Sequence, residues 1–163
     1  MKIILINKRN IYLVLAVLWA VVIFSFSAKN AGESTKESRR AGKLICSIFV
    51  PGFNDMTEER QYEMAGEIDY PVRKLAHGTE YAVLGMLLAG AVYDTGRKRY
   101  YNLIVPYIAG TLYAVTDELH QYFVPGRSCR LTDVFIDSMG VLSGIVISFA
   151  IIKIHHKLHG YRQ

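Results

Sequence analysis

Cysteine is almost absent from this chain, with Cys46 and Cys129 as the whole complement. Two thiols cannot build a disulfide framework and stand at no metal-ligand spacing, so a single bridge is the most they can form. A glycine-rich phosphate loop is also missing, which argues against nucleotide chemistry. Neither an internal repeat nor a low-complexity tract is present. The net charge of +5 brings no RNA- or DNA-binding motif with it, so nucleic acid is not the expected partner.

What the chain has is long apolar runs. Hydrophobic residues make up 52% of its 163 positions, and they are segregated into runs separated by charge-rich connections. A membrane-spanning helix needs roughly 20 mostly apolar residues, so this segregation predicts an integral membrane protein. The expected fold is all-α, a single domain over residues 1–163 with four transmembrane helices at about 11–27, 73–93, 102–124 and 131–154. Pro106 is expected in the opening turn of the third, where a missing amide hydrogen is tolerated. Residues 25–27 also satisfy a small-x-small cleavage rule, but the run before them is longer than a usual signal-peptide core. It is therefore read as a retained span.

Basic residues indicate the orientation. Lys2, Lys8 and Arg9 precede the first span, Arg97, Lys98 and Arg99 sit between the second and third, and a basic tail follows the fourth. The positive-inside rule puts these regions and both termini in the cytoplasm. The connection at 28–71 and the turn at 124–130 then lie outside, with Cys46 and Cys129. Two short interfacial helices are predicted in the long connection, at about 33–50 and 54–66. Pro51-Gly52 ends the first, and an Asn54 or Asp55 cap begins the second.

Against this apolar background the informative residues are ionisable ones inside the predicted spans. A charge in hydrocarbon costs about 2.5–3.5 kcal/mol even on lenient scales, so it persists mainly where it is paired, wet or useful. Helical spacing puts Arg73, His77 and Glu80 on one stripe, with Tyr81 at its edge. Gln121 shares a face with Asp117 and Glu118, and Asp133 shares one with Asp137, Gly140 and Gly144. At about 1.5 Å per residue, the ionisable groups among these fall within roughly 10 Å of the outer ends of their helices. The turn at 124–127 hangs Arg127 over the same layer.

Such a layer suggests two kinds of chemistry. Arg73 and Arg127, with Tyr81, Gln121, Asp133 and Asp137, are the candidate binding residues for an anionic head group, because the guanidinium fork matches phosphate or carboxylate oxygens. His77, Glu80, Asp117 and Glu118 are the candidate catalytic residues, as acid–base groups or as ligands to a divalent metal. The plainer alternative is that the polar groups are glue between helices. Gly140-x-x-x-Gly144 reads as close helix packing, and Trp19, Tyr100, Tyr101 and Tyr107 as interface anchors or packing. His155, His156 and His159 read as part of a basic interfacial segment.

The motifs themselves resemble the VanZ family of small bacterial membrane proteins. The resemblance runs through Phe24-Ser25-Phe26-Ser27, Ser34 and Ser38, then Arg73-Lys74-x-x-His77-x-x-Glu80-Tyr81-x-x-Leu84-Gly85. Its most specific stretch is Asp117-Glu118-x-His120-Gln121-x-Phe123-Val124-Pro125-Gly126-Arg127, followed by Asp133, Asp137 and Gly140. Members usually carry Asn where this chain has Asp137, and a residue larger than Gly78 is common at that position. The resemblance implies a bacterial cell-envelope protein, and the family takes its name from resistance to the glycopeptide teicoplanin. The expected partner is a membrane lipid or lipid-linked cell-wall precursor, bound or modified at an outer-leaflet pocket. A small proton-coupled transporter and a non-enzymatic envelope scaffold are the alternatives.

Overall fold

The computed structural model describes residues 7–160 except 95 and 97, and side chains up to residue 158. Lys2, Arg97 and the side chain of His159 therefore lie outside the described residues. Among the described residues the chain forms six α-helices, one short 3-10 turn and no strand.

Helix α1 (Lys8–Ser27) is capped by Asn7, whose side chain accepts from the Arg9 amide at 3.3 Å. A capping box starts α2 (Ala31–Phe49): Asn30 accepts from the Glu33 amide at 3.0 Å, and Glu33 accepts from the Asn30 amide at 3.3 Å. Pro51-Gly52 ends it, with Gly52 at φ 74°, a left-handed conformation that glycine adopts without a Cβ clash. Asn54 and Asp55 do not cap the next helix, because they are taken up in the 3-10 turn Phe53–Asp55. Thr57 caps α3 (Glu58–Glu67) instead, accepting from the Arg60 amide.

Ile68 alone separates α3 from α4 (Asp69–Val92), which begins four residues before the predicted span. Pro71 permits this, since first-turn amides have no helical partner to lose. Helix α5 (Arg99–Gln121) also starts early, so Pro106 lies in the helix interior rather than its opening turn. Asn102 secures the turn before it, donating to the Asp94 carbonyl at 2.9 Å and accepting from the Asp94 amide at 3.3 Å. Helix α6 (Leu131–Gly160) continues past 154 into the basic tail.

Among the described residues, three helices are long and apolar enough to cross a membrane, over Lys8–Ser27, Asp69–Val92 and Leu131–Leu158. Helix α5 has comparable length at 23 residues but is less apolar, with Arg99, Asp117 and Glu118 in it.

Helices α4 and α6 pack backbone to backbone. Gly140 lies against the Gly78 carbonyl, Gly144 against the Ala82 carbonyl, and Gly85 against the Val141 carbonyl. A Cβ at any of the three would overlap backbone, so the small residues set the helix separation. Around this seam Ile23, Tyr81, Leu84, Ala114, Val141 and Ile145 form a buried core. Two side chains tie α1 into it through backbone carbonyls. Trp19 Nε1 donates to Glu80 O at 2.8 Å, and Tyr113 OH donates to Ala20 O at 2.6 Å. Trp19 thus packs and bonds within the bundle, whereas Tyr100 and Tyr101 are exposed. Both cysteines are free, Cys46 buried and Cys129 exposed.

Candidate functional site

One end of the bundle gathers the C-terminal ends of α1 and α5 and the N-terminal ends of α2, α4 and α6. The loop that closes it is a tight turn. Arg127 N donates to Val124 O at 3.1 Å, with Pro125 first and Gly126 second at its corners. Proline's fixed φ and glycine at φ 75° are what a type II turn requires. The turn docks on α2, whose Ala31 amide donates to Pro125 O at 3.3 Å.

Arg127 then reaches back across three segments. Its Nε donates to Lys29 O at 2.9 Å, Nη2 to Phe26 O at 3.3 Å and Nη1 to Gln121 Oε1 at 3.0 Å. Two of these bonds cap the end of α1 and its junction with α2. Burial, then the neighbouring Arg73 guanidinium, lowers its pKa from the ordinary arginine value. A guanidinium carries five N–H donors, so two remain for a ligand.

Behind Arg127 lies a buried hydrogen-bonded chain. Gln121 Nε2 donates to Asp117 Oδ2 at 3.1 Å, and Ser27 Oγ donates to the same oxygen at 2.7 Å. Ser27, Asp117 and Gln121 are all buried. Glu118 is 1% exposed and accepts from the Arg130 amide at 3.0 Å, where its charge faces the positive end of the α6 dipole. His120 stacks on Phe24 with ring centroids 4.3 Å apart.

Above this layer a cleft of about 230 Å³ opens, lined by Arg73, Lys74, His77, Gln121, Arg127, Arg130 and Asp133 among others. An adjoining cleft of about 200 Å³ shares Arg73, His77 and Arg127 and adds Glu80, Phe26 and Val72. The first has four cationic side chains against one carboxylate. Lys74 pairs with Asp133 at 2.5 Å, and Arg73 pairs with Asp69 at 2.8 Å, which also meets Ser38 of α2. Among the described residues, Arg127 and Arg130 are the cations there without a carboxylate partner within ion-pair distance.

The ten residues singled out from the sequence thus divide by depth. Arg73, His77, Gln121, Arg127 and Asp133 line the first cleft, and Glu80 lines its neighbour. Asp117, Glu118, Asp137 and Tyr81 are buried beneath and do not line either. Among the described residues no three His, Cys, Asp or Glu side chains come together in a group able to hold a metal ion. Ser27, Lys74 and Arg130 were missed as site residues. Lys74 sits three residues before His77, so the helical spacing that found His77 also reaches Lys74. Nothing in the sequence pairs Ser27 with Asp117, 90 positions away.

Asp137 is the least settled group. It is 1% exposed, neither oxygen has a hydrogen-bond partner, and His77 Nδ1 lies 4.0 Å away. An unpaired buried carboxylate is expensive, and an unsatisfied polar atom costs about 1–3 kcal/mol. Asp137→Asn removes the charge, keeps the shape and adds a donor facing His77. We expect it to stabilise the protein by about 1–2 kcal/mol. A thermal midpoint in detergent below that of the parent protein would refute this account of Asp137.

The fold and this layer define a helical membrane protein with a charged cleft at one end of its bundle. The chain belongs to the VanZ/LLP1 family, whose model matches residues 12–153. No curated protein and no solved structure is matched by the chain.

Proposed function

We propose that this is a bacterial cell-envelope protein whose cleft binds the anionic head group of a membrane lipid or lipid-linked cell-wall precursor. The observation that carries the reading is the cationic excess of the cleft, four basic side chains against Asp133 alone. Arg127 and Arg73 grip the anion with their unused donors, and Arg130 adds charge at the rim. His77 and Glu80 stand beside them for acid–base chemistry on the bound group. Asp117 and Glu118, the other two acid–base candidates, act from beneath through their charge, Asp117 also fixing Gln121 and Glu118 the start of α6. Tolerance of glycopeptides of the teicoplanin type would follow from binding or modifying such a precursor.

In this reading α5 is the fourth span, and both termini are cytoplasmic. Its 23 residues give about 34 Å of helix, enough to cross the hydrocarbon. Lys8, Arg9, Lys98, Arg99, Lys153 and Lys157 gather at the end away from the cleft, which favours that end for the cytoplasm. Helices α2 and α3 then lie on the outer side, with Phe49 and Ile48 exposed toward the interface.

Titration of the detergent-solubilised protein with a short-chain lipid phosphate tests the binding. Arg73→Gln/Arg127→Gln should weaken it about tenfold or more, as expected for losing two charge-assisted contacts. Equal binding by the double variant would remove the proposed role of the cleft. Single cysteines at positions 60 and 98 test the orientation in intact cells. Position 60 should label from outside and 98 should not, and the reverse pattern would invert the topology.

A further inference from the structure

The opposite end of the bundle carries a second feature that the cleft does not explain. Between the start of α5 and the last turns of α6 lies a groove of about 720 Å³, lined by Arg99, Tyr100, Leu103, Val146, Phe149, Ala150 and Lys153. A recess of about 420 Å³ adjoins it and shares Arg99, Phe149 and Lys153. Both cations are exposed, and among the described residues neither is within ion-pair distance of a carboxylate. Asp94 lines the recess rather than the groove, and its Oδ1 accepts from the Gly96 amide at 2.8 Å.

The order of residues along the groove matters more than its size. Arg99 and Lys153 stand at the rim. Leu103 lies about 6 Å deeper along α5, and Val146 about 10 Å deeper along α6. Phe149 and Ala150 fill the interval, and Leu103 and Val146 are 36% and 55% exposed on the outside of the bundle. The groove is thus cationic at the membrane border and apolar inward, the polarity of a lipid molecule in its leaflet. Among the described residues, Tyr100 beside Arg99 is its one uncharged polar lining side chain, and the stretch from Leu103 to Val146 is wholly apolar. The rim charge is complementary to an anionic head group, and basic residues near a membrane surface attract anionic lipids.

We infer that this groove seats an anionic phospholipid, its phosphate between Arg99 and Lys153 and one acyl chain along Leu103, Val146, Phe149 and Ala150. The seat is separate from the cleft and stands whether or not the cleft binds a lipid. A lipid held there would bridge α5 to α6 where their packing opens, and would fix the depth of the less apolar helix.

Photo-crosslinking in vesicles reads this position by position. The full chain is reconstituted in phosphatidylcholine with trace phosphatidylglycerol or phosphatidylcholine carrying a diazirine in the acyl chain. Adducts are then mapped by peptide mass spectrometry. The anionic probe should label residues 103 and 146–150 several-fold more than the zwitterionic probe. Arg99→Gln/Lys153→Gln should bring the two probes to parity there, while labelling around the cleft is unchanged. Both positions are exposed, so the substitutions leave the core intact. Val146→Trp, which fills the groove and keeps both cations, should lower labelling of the remaining groove positions by either probe. Equal labelling in the parent protein, or a preference that survives the double substitution, overturns the inference.

Discussion

Gly144→Val is expected to leave no stable bundle. A Cβ at position 144 would fall on the Ala82 carbonyl, and valine adds two further methyl groups beyond it. The helices cannot part locally to make room, because Gly140 against Gly78 one turn earlier and Gly85 against Val141 at the same level clasp the same pair of helices. Overpacking a well-fitted site costs about 1–3 kcal/mol, and direct overlap with backbone costs more. Against a total stability of about 5–15 kcal/mol, that is a large fraction. The matched control is Gly78→Ala, whose new methyl would meet Ile136 at an ordinary 3.9 Å and should be tolerated. Membrane-inserted protein level and thermal midpoint in detergent measure both variants. A Gly144→Val protein as abundant and as stable as the parent would show that α4 and α6 can re-pack, and that the seam is not the clamp described here.

Changes in the cleft layer should produce the largest functional losses without unfolding. Asp117→Asn retains an oxygen that can accept from Ser27 and Gln121, and Glu118→Gln retains an acceptor for the Arg130 amide. Each removes a charge while preserving packing, so folded protein should remain in the membrane. Both are expected to abolish any glycopeptide-tolerance phenotype conferred by the parent. Arg127→Lys is expected to be equally damaging. One ammonium cannot reproduce three bonds aimed at Lys29, Phe26 and Gln121, nor a planar fork for the ligand. Minimum inhibitory concentration, set against membrane-inserted protein for each variant, is the measurement. Full tolerance in both acid-to-amide variants at normal abundance would leave the polar layer as glue between helices.

Much of this arrangement is legible in the sequence. The stripe of Arg73, His77 and Glu80 follows from helical spacing, and its residues do share the walls of two adjoining clefts. The predicted close packing at Gly140 and Gly144 rested on residue size alone, and both glycines meet backbone. The end of α2 at Pro51-Gly52 needed only backbone sterics. Errors came where a short-range contact overrode a local signal. Pro106 reads as a helix opener, but the Asn102–Asp94 bonds carry α5 three residues further back. Asn54 reads as a cap, but the 3-10 turn consumes it and leaves the role to Thr57.

Hydropathy and period therefore determined the all-helical class, the segregated apolar runs and the faces of the polar stripes, because each is a property of neighbouring residues along one helix; the family was legible in the motif residues themselves. Tertiary structure alone decided which carboxylates sink and which face the cleft. Asp117 and Asp133 each lie near a helix end, yet Asp117 is sealed under Ser27 and Gln121 while Asp133 meets Lys74 in the opening. It also decided that Tyr81 belongs to the core, and that Arg127 spends three of its donors holding α1 and Gln121. The physical reason is rotation. Helical period states which residues share a face, but the direction of that face depends on how the helices turn against one another. Here the close contact of α4 with α6 at Gly85, Gly140 and Gly144 sets that turn.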